Sequence, residues 1–182
     1  MGALLCDLRG GPDITVLRVG DTPSAEHRPF YLRVSPLGAS GLEKELSYAA
    51  SSGAAGVVLP GAIGRPDIER LGAMLAVAES EADLPDDSLR VLAITADTPA
   101  GVLALPTLSA NPRLVGLACS PAELARTLGC ENTAPAIVAA RSSTVLAAAA
   151  CRVRATLLVR VAAPDVCRAA LGEGFAALLV TS

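Results

Sequence analysis

Short runs rich in leucine and β-branched residues alternate with Ala-rich windows of helical periodicity along nearly the whole chain. That rhythm builds βαβ units, which require a parallel sheet with helices packed against it. Candidate strands are 3–8, 30–35, 56–60, 90–96, 114–119, 156–161 and 177–181. The run 14–19 is a doubtful eighth, because so few residues separate it from the first. The helices are marked at their ends. One over 41–52 stops at Gly53, and one over 65–82 carries Ile68, Leu71, Leu75 and Ala78 at helical spacing. Thr98-Pro99 is a cap followed by proline at the first helical position. Ser120-Pro121-Ala122-Glu123 reads as a capping box whose helix ends near Gly129. Windows 134–151 and 164–171 complete the set, the last ending at Gly172. One domain over 1–182 is predicted: an α/β, TIM-type (β/α) barrel, incomplete at about seven parallel strands. An open doubly wound sheet is the second architecture.

Composition narrows the function. The 182 residues are 52% hydrophobic, with a mean hydropathy of +0.49, which excludes disorder. Aromatics are only 2% and there is no Trp, so small aliphatic residues fill the core. A nucleic-acid stacking platform has almost no rings to draw on, and a net charge of −3 provides no basic footprint. Arg141, Arg152, Arg154 and Arg160 interrupt the most apolar stretch, so no membrane span is expected. The apolar run at the start is short and Asp7 ends it, which argues against a signal peptide. Five cysteines without a CxxC pair read as small buried hydrophobes in a reducing compartment. A cytoplasmic protein is the expectation.

Residues present only once exclude further chemistry. His27 is the sole histidine, in a polar Gly/Pro-bracketed stretch that reads as a loop, so a His-rich metal site is impossible. Lys44 is the sole lysine, flanked by Glu43 and Glu45 on a helix. It reads as a solvated residue rather than the desolvated amine of a Schiff-base enzyme. No GxGxxG, P-loop, HExxH or GxSxG motif occurs, and Gly10-Gly11 reads as a plain turn.

Five segments follow one another in a telling order: YLRVSPLG, GAAGVVLPG, LAITADTPAGV, PRLVGLACSPAELARTLG and ARSSTVLAAAAC. This ordered set, over about 150 residues, resembles the citrate lyase beta-subunit / malyl-CoA lyase family of the HpcH/HpaI aldolase superfamily. LLCDLRGG near the start is similar to that family's LDLED strand. The resemblance implies a Mg2+-binding TIM barrel that breaks or forms a carbon–carbon bond beside a carboxylate, usually on an acyl-CoA thioester. In such a site the cation stabilises a developing enolate and an arginine holds the carboxylate.

Carried over residue by residue, the resemblance implies that Arg33 binds and orients substrate, with Ser35 where the family has Asn. Asp97 stands at one metal-ligating carboxylate and Glu123 at the other, each with the other's chain length. Asp7 matches the first acid of LDLED, and Arg9 and Gly10 replace the acids after it. Gly61 and Ile63 replace a Lys and a Glu. The missing groups predict impaired catalysis.

Bland readings stand beside these. Glu123 would also serve as the reciprocal acid of the Ser120 capping box, and Asp97 would cap the helix at Thr98-Pro99. Arg33 shares a strand face with Tyr31 and Ser35. If that face points inward, Arg33 needs an acid, and Asp7 is the obvious partner, for substrate binding or for structure alone. Two functions follow: a diverged Mg2+-dependent lyase or aldolase for a small carboxylate or acyl-CoA substrate, or a non-catalytic relative kept as a binding or assembly partner. An incomplete barrel would leave a strand edge bare, so self-association into a homo-oligomer is expected, with no nucleic-acid or membrane partner.

Overall fold

The computed structural model describes residues 3–23 and 29–181, and His27 lies outside them. Among the described residues the first three strands are β1 (Ala3–Asp7), β2 (Ile14–Arg18) and β3 (Phe30–Arg33). After them β4 (Gly56–Leu59), β5 (Arg90–Ala96), β6 (Leu114–Cys119), β7 (Arg154–Val159) and β8 (Ala177–Val180) alternate with helices. Those helices are α1 (Leu42–Ser52), α2 (Gly64–Glu81), α3 (Pro99–Ala104), α4 (Pro121–Leu128), α5 (Pro135–Cys151) and α6 (Pro164–Glu173). Each strand pairs with the next, and β8 returns to β1, so the barrel is closed.

Closure corrects the expectation of an incomplete wall of seven strands. The doubtful run is a true strand, β2, parallel to β3 with Val16 opposite Tyr31 and Arg18 opposite Arg33. β1 runs antiparallel to both β2 and β8. Six residues (8–13) join β1 to β2, too few for a crossover, so these strands form a hairpin. The remaining strands are parallel from β2 round to β8. No strand edge is left open among the described residues, which removes the reason for expecting self-association at a break.

The side-chain alternation of the strands separates two apolar layers. Leu5, Val16, Tyr31, Val58, Leu92, Ile94, Ala118, Ala177 and Leu179 fill the barrel interior. Phe30, Leu32, Val57, Leu59, Ala93 and Leu117 point outward, where Leu42, Leu46, Leu71 and Leu75 of the helices cover them. Gly53 and Gly129 end α1 and α4 in the left-handed conformation, as their positions predict. α6 continues through Gly172 and ends at Gly174, which takes the left-handed turn instead. Lys44 is exposed on α1. The cysteines are free; Cys119 and Cys151 are buried, Cys6 and Cys167 half-buried, and Cys130 is exposed, against expectation. No described helix is long and apolar enough to cross a membrane.

At the end where the parallel strands begin, Glu79 of α2 is wholly buried. Arg113, just before β6, grips it with two bonds of 2.6 and 2.7 Å. The Leu89 N–H donates to the same carboxylate at 2.7 Å, and Asp87 holds the Arg113 Nε at 2.9 Å. Burial pushes the Glu79 pKa up, but the bonds from Arg113 and Leu89 outweigh it and hold the group below its ordinary value.

Candidate functional site

At the opposite end, where the parallel strands finish, the barrel opens into a cavity of about 920 Å³. Its walls carry Arg18 from β2, Arg33 from β3 and Arg160 after β7, with Glu45 of α1 and Glu123 of α4. Arg33 follows Tyr31 on the inward face, as the alternation predicts, because Phe30 and Leu32 belong to the outer layer. Its side chain is half-buried and forms no hydrogen bond or ion pair among the described residues. Burial and the neighbouring Arg18 push its pKa down, while Asp97 and Glu123 pull it back up.

Asp97 reaches this end through a break in the ladder. Ile94 pairs with Ala118, but Ala96 pairs with Cys119, leaving Thr95 as an extra residue. Such a bulge re-aims the side chains that follow it. Leu92 and Ile94 face inward, yet Ala96 joins the outer layer, so Asp97 returns to the inner side. α3 lies so close to the bulge that a Cβ at Gly101 would strike the Thr95 carbonyl oxygen. The Gly61 N–H donates to Asp97 Oδ2 at 3.0 Å. Gly61 holds this amide at a φ of 67°, where a lysine would be strained. Asp97 Oδ1 is buried without a partner. Burial raises the pKa of this carboxyl, against the bond from Gly61 and the charge of Arg33.

Capping does not account for the two acids. Thr98, not Asp97, caps α3, accepting from the Gly101 N–H at 3.1 Å. Ser120 makes no side-chain cap at α4. Glu123 instead pairs with Arg126 on the next turn, at 2.5 Å, with 55% of its side chain exposed. Glu45 is committed as well, accepting from the Ser35 N–H at 2.6 Å and hydroxyl at 2.8 Å.

Asp7 does not meet Arg33. Because β1 runs against the parallel strands, Asp7 lies at the other end of the barrel, opposite Ala177 at the start of β8. There it accepts from Arg154 at 2.7 Å and from the Arg9 N–H at 2.7 Å. The Arg9 amide foremost holds its pKa below the ordinary value. Arg9 and Gly10 form the β1–β2 turn at that same end, so their identities do not bear on the cavity beside Arg33. The strand on the β1 side of β3 is β2, parallel to it and ending in Arg18. Taking 14–19 as a firm strand would have set Arg18 level with Arg33; Glu45 had no local signal. Among the described residues no three acidic, His or Cys side chains form a metal cluster.

The half-buried Arg33, with Asp97 after β5 and Glu123 on α4, lies at the end where the parallel strands finish, the face on which α/β barrels carry their sites. A profile of the HpcH/HpaI aldolase/citrate lyase family matches residues 11–178, and the chain belongs to that family. The match begins after Asp7, so LLCDLRGG lies almost wholly outside it. No curated protein matches the chain in sequence. Among solved structures it is similar to RipC from Yersinia pestis, at 20% identity and a TM-score of 0.67, over 88% of this chain and 79% of that one. CitE from Mycobacterium tuberculosis, solved with magnesium and acetoacetate, gives 18% and 0.67 over 93% and 76%. A citrate lyase from Burkholderia xenovorans gives 14% and 0.75 over 87% and 56%. The chain spans only 51% of a Haloferax volcanii malate synthase. At these identities the likenesses establish the fold.

Proposed function

We propose that the chain is a diverged Mg2+-dependent carbon–carbon lyase or aldolase for a small carboxylate substrate, free or as an acyl-CoA thioester, with impaired turnover. Arg33 carries this reading. A guanidinium on the inner face of a barrel strand, partly desolvated and without a protein partner, favours an anion that completes it. Its planar fork suits one carboxylate, and Arg18 beside it and Arg160 across the mouth add positive charge for a further anionic group.

The residues fit a weakly held divalent cation. Asp97 Oδ1 is a buried carboxylate oxygen with no partner, and Glu123 supplies a second carboxylate within electrostatic reach of Arg33. Two hard oxygens suffice for Mg2+ when water and substrate complete the shell. A bound cation would polarise a 2-oxo-acid and stabilise its enolate. Gly61 aims Asp97, and Arg33 orients the substrate carboxylate. Proton movement is the weak step, because Glu45 is held by Ser35 and Glu123 by Arg126. That commitment also favours the alternative of a non-catalytic relative that binds a carboxylate.

The test combines calorimetry with Mg2+ and pyruvate or oxaloacetate and a coupled lyase assay on citryl-CoA, malyl-CoA and 4-hydroxy-2-oxo acids. Weak Mg2+ binding should fall about tenfold or more in Asp97→Asn and Glu123→Gln, and turnover should be slow. Unchanged metal affinity in both variants would refute the site. Robust turnover lost in both would refute the impairment, and none at all would favour the binding protein.

A further inference from the structure

The barrel has a second cavity, of about 520 Å³, at the end where its parallel strands begin. It is separate from the mouth beside Arg33 and shares no lining residue with it. Leu5, Ile14, Leu92, Leu114 and Val115 make aliphatic walls, and Tyr31, Arg152 and Arg154 bring the polar groups. Its volume falls within the range of small-molecule sites.

The acids at this mouth are already engaged. Arg154 holds Asp7, and Asp13 accepts from the Asp7 N–H at 3.1 Å. Arg152 ends α5 in the left-handed conformation and projects an exposed guanidinium with no ion-pair partner among the described residues. Tyr31 is buried on the interior, and its hydroxyl makes no hydrogen bond among the described residues. Burial pushes the phenol pKa up, against the pull of Arg90 and Arg154. The group is therefore a neutral O–H donor at pH 7, within the field of nearby guanidinium groups.

We propose that this cavity is a second ligand site, for a small monocarboxylate with an aliphatic body, its carboxylate bound by Arg152 and the Tyr31 hydroxyl. The aliphatic walls take the body of the ligand, and the unpaired cation selects a charged head over a neutral one. The inference does not depend on the lyase reading, since it uses none of the residues at the other mouth.

Calorimetry with hexanoate tests it, with hexanamide as the neutral isostere. Hexanoate should bind saturably, and hexanamide at least tenfold more weakly. Arg152→Gln should weaken hexanoate about tenfold; the position is exposed, so the fold survives. Tyr31→Phe should weaken it several-fold at an unchanged melting temperature. In Tyr48→Phe, Tyr31 is the only tyrosine in a chain without Trp, and hexanoate should change its fluorescence with the same midpoint. Absence of saturable binding, or equal affinity for hexanamide, overturns the proposal. So does unchanged affinity in both Arg152→Gln and Tyr31→Phe. Loss of hexanoate binding in Arg33→Ala would place the ligand at the other mouth and overturn it too.

Discussion

A buried cluster of charge and a half-buried one sit at opposite ends of this barrel. Around Glu79 each carboxylate oxygen has a donor, and Arg113 is shared between Glu79 and Asp87. Around Arg33 the guanidinium is unpaired, one oxygen of Asp97 has no partner, and the remaining acids are turned to other residues. Both clusters meet the cost of desolvation, but only the first recovers it within the protein. A charge completed by protein groups holds the fold. A charge left incomplete on a strand end is available to a ligand.

Breaking the satisfied cluster should have the largest effect. Glu79→Ala leaves Arg113 buried with only the partly exposed Asp87, and should cost about 3–5 kcal/mol in urea unfolding. A double replacement, Glu79→Leu with Arg113→Met, fills the space without a stranded charge and should recover most of that loss. If the single variant loses less than about 1 kcal/mol, the pair behaves as a surface salt bridge and the contrast between the two ends fails.

The contrast also explains what was legible in the sequence. The βα alternation, the glycine stops at Gly53 and Gly129, and the strand face that Arg33 shares with Tyr31 follow from local periodicity, which one strand or one helix is enough to express. The six-residue link between β1 and β2 was visible as well. Its length forbids a crossover and fits an antiparallel neighbour, a hairpin that a purely parallel βα alternation does not anticipate. Asp7 was misplaced for the same reason, since reversing β1 carries it to the far end. The bulge at Thr95 that aims Asp97 depends on the pairing with β6, and Glu79 and Arg113 are 34 positions apart. No local pattern encodes either.

Acid should separate the two ends by sign. Glu79 and Asp7 have folded pKa values below their ordinary ones. Their stabilisation is fully present above the unfolded carboxylate range, roughly pH 4, and is lost as pH falls through the lower folded values. Asp97 is shifted the other way by burial, so its ionisation costs stability at neutral pH, and protonation relieves that cost as pH falls. With EDTA present, Asp97→Asn should have a higher urea midpoint than wild type at pH 7, and the gap should close by about pH 3. A gap that widens in acid would mean that Asp97 is a stabilising charge and belongs with Glu79.

The smallest effect on stability should come from Arg33 itself, and it sharpens the comparison most. Arg33→Met keeps much of the apolar stem while removing a guanidinium that has no protein partner. Stability should hold or rise by about 0.5–1 kcal/mol, the usual sign when a residue kept for binding is replaced by one that suits the fold. Loss of the cation should also leave Asp97 harder to ionise, because Arg33 is among the charges that favour its carboxylate. Binding should move the opposite way, with carboxylate affinity falling at least tenfold in the calorimeter. Arg33→Lys separates charge from shape: an ammonium keeps the charge but offers no planar fork, so it should restore only part of the binding. If Arg33→Met unfolds more easily by about 2 kcal/mol or more, the guanidinium is a structural group, and the two ends of the barrel differ in completeness but not in purpose.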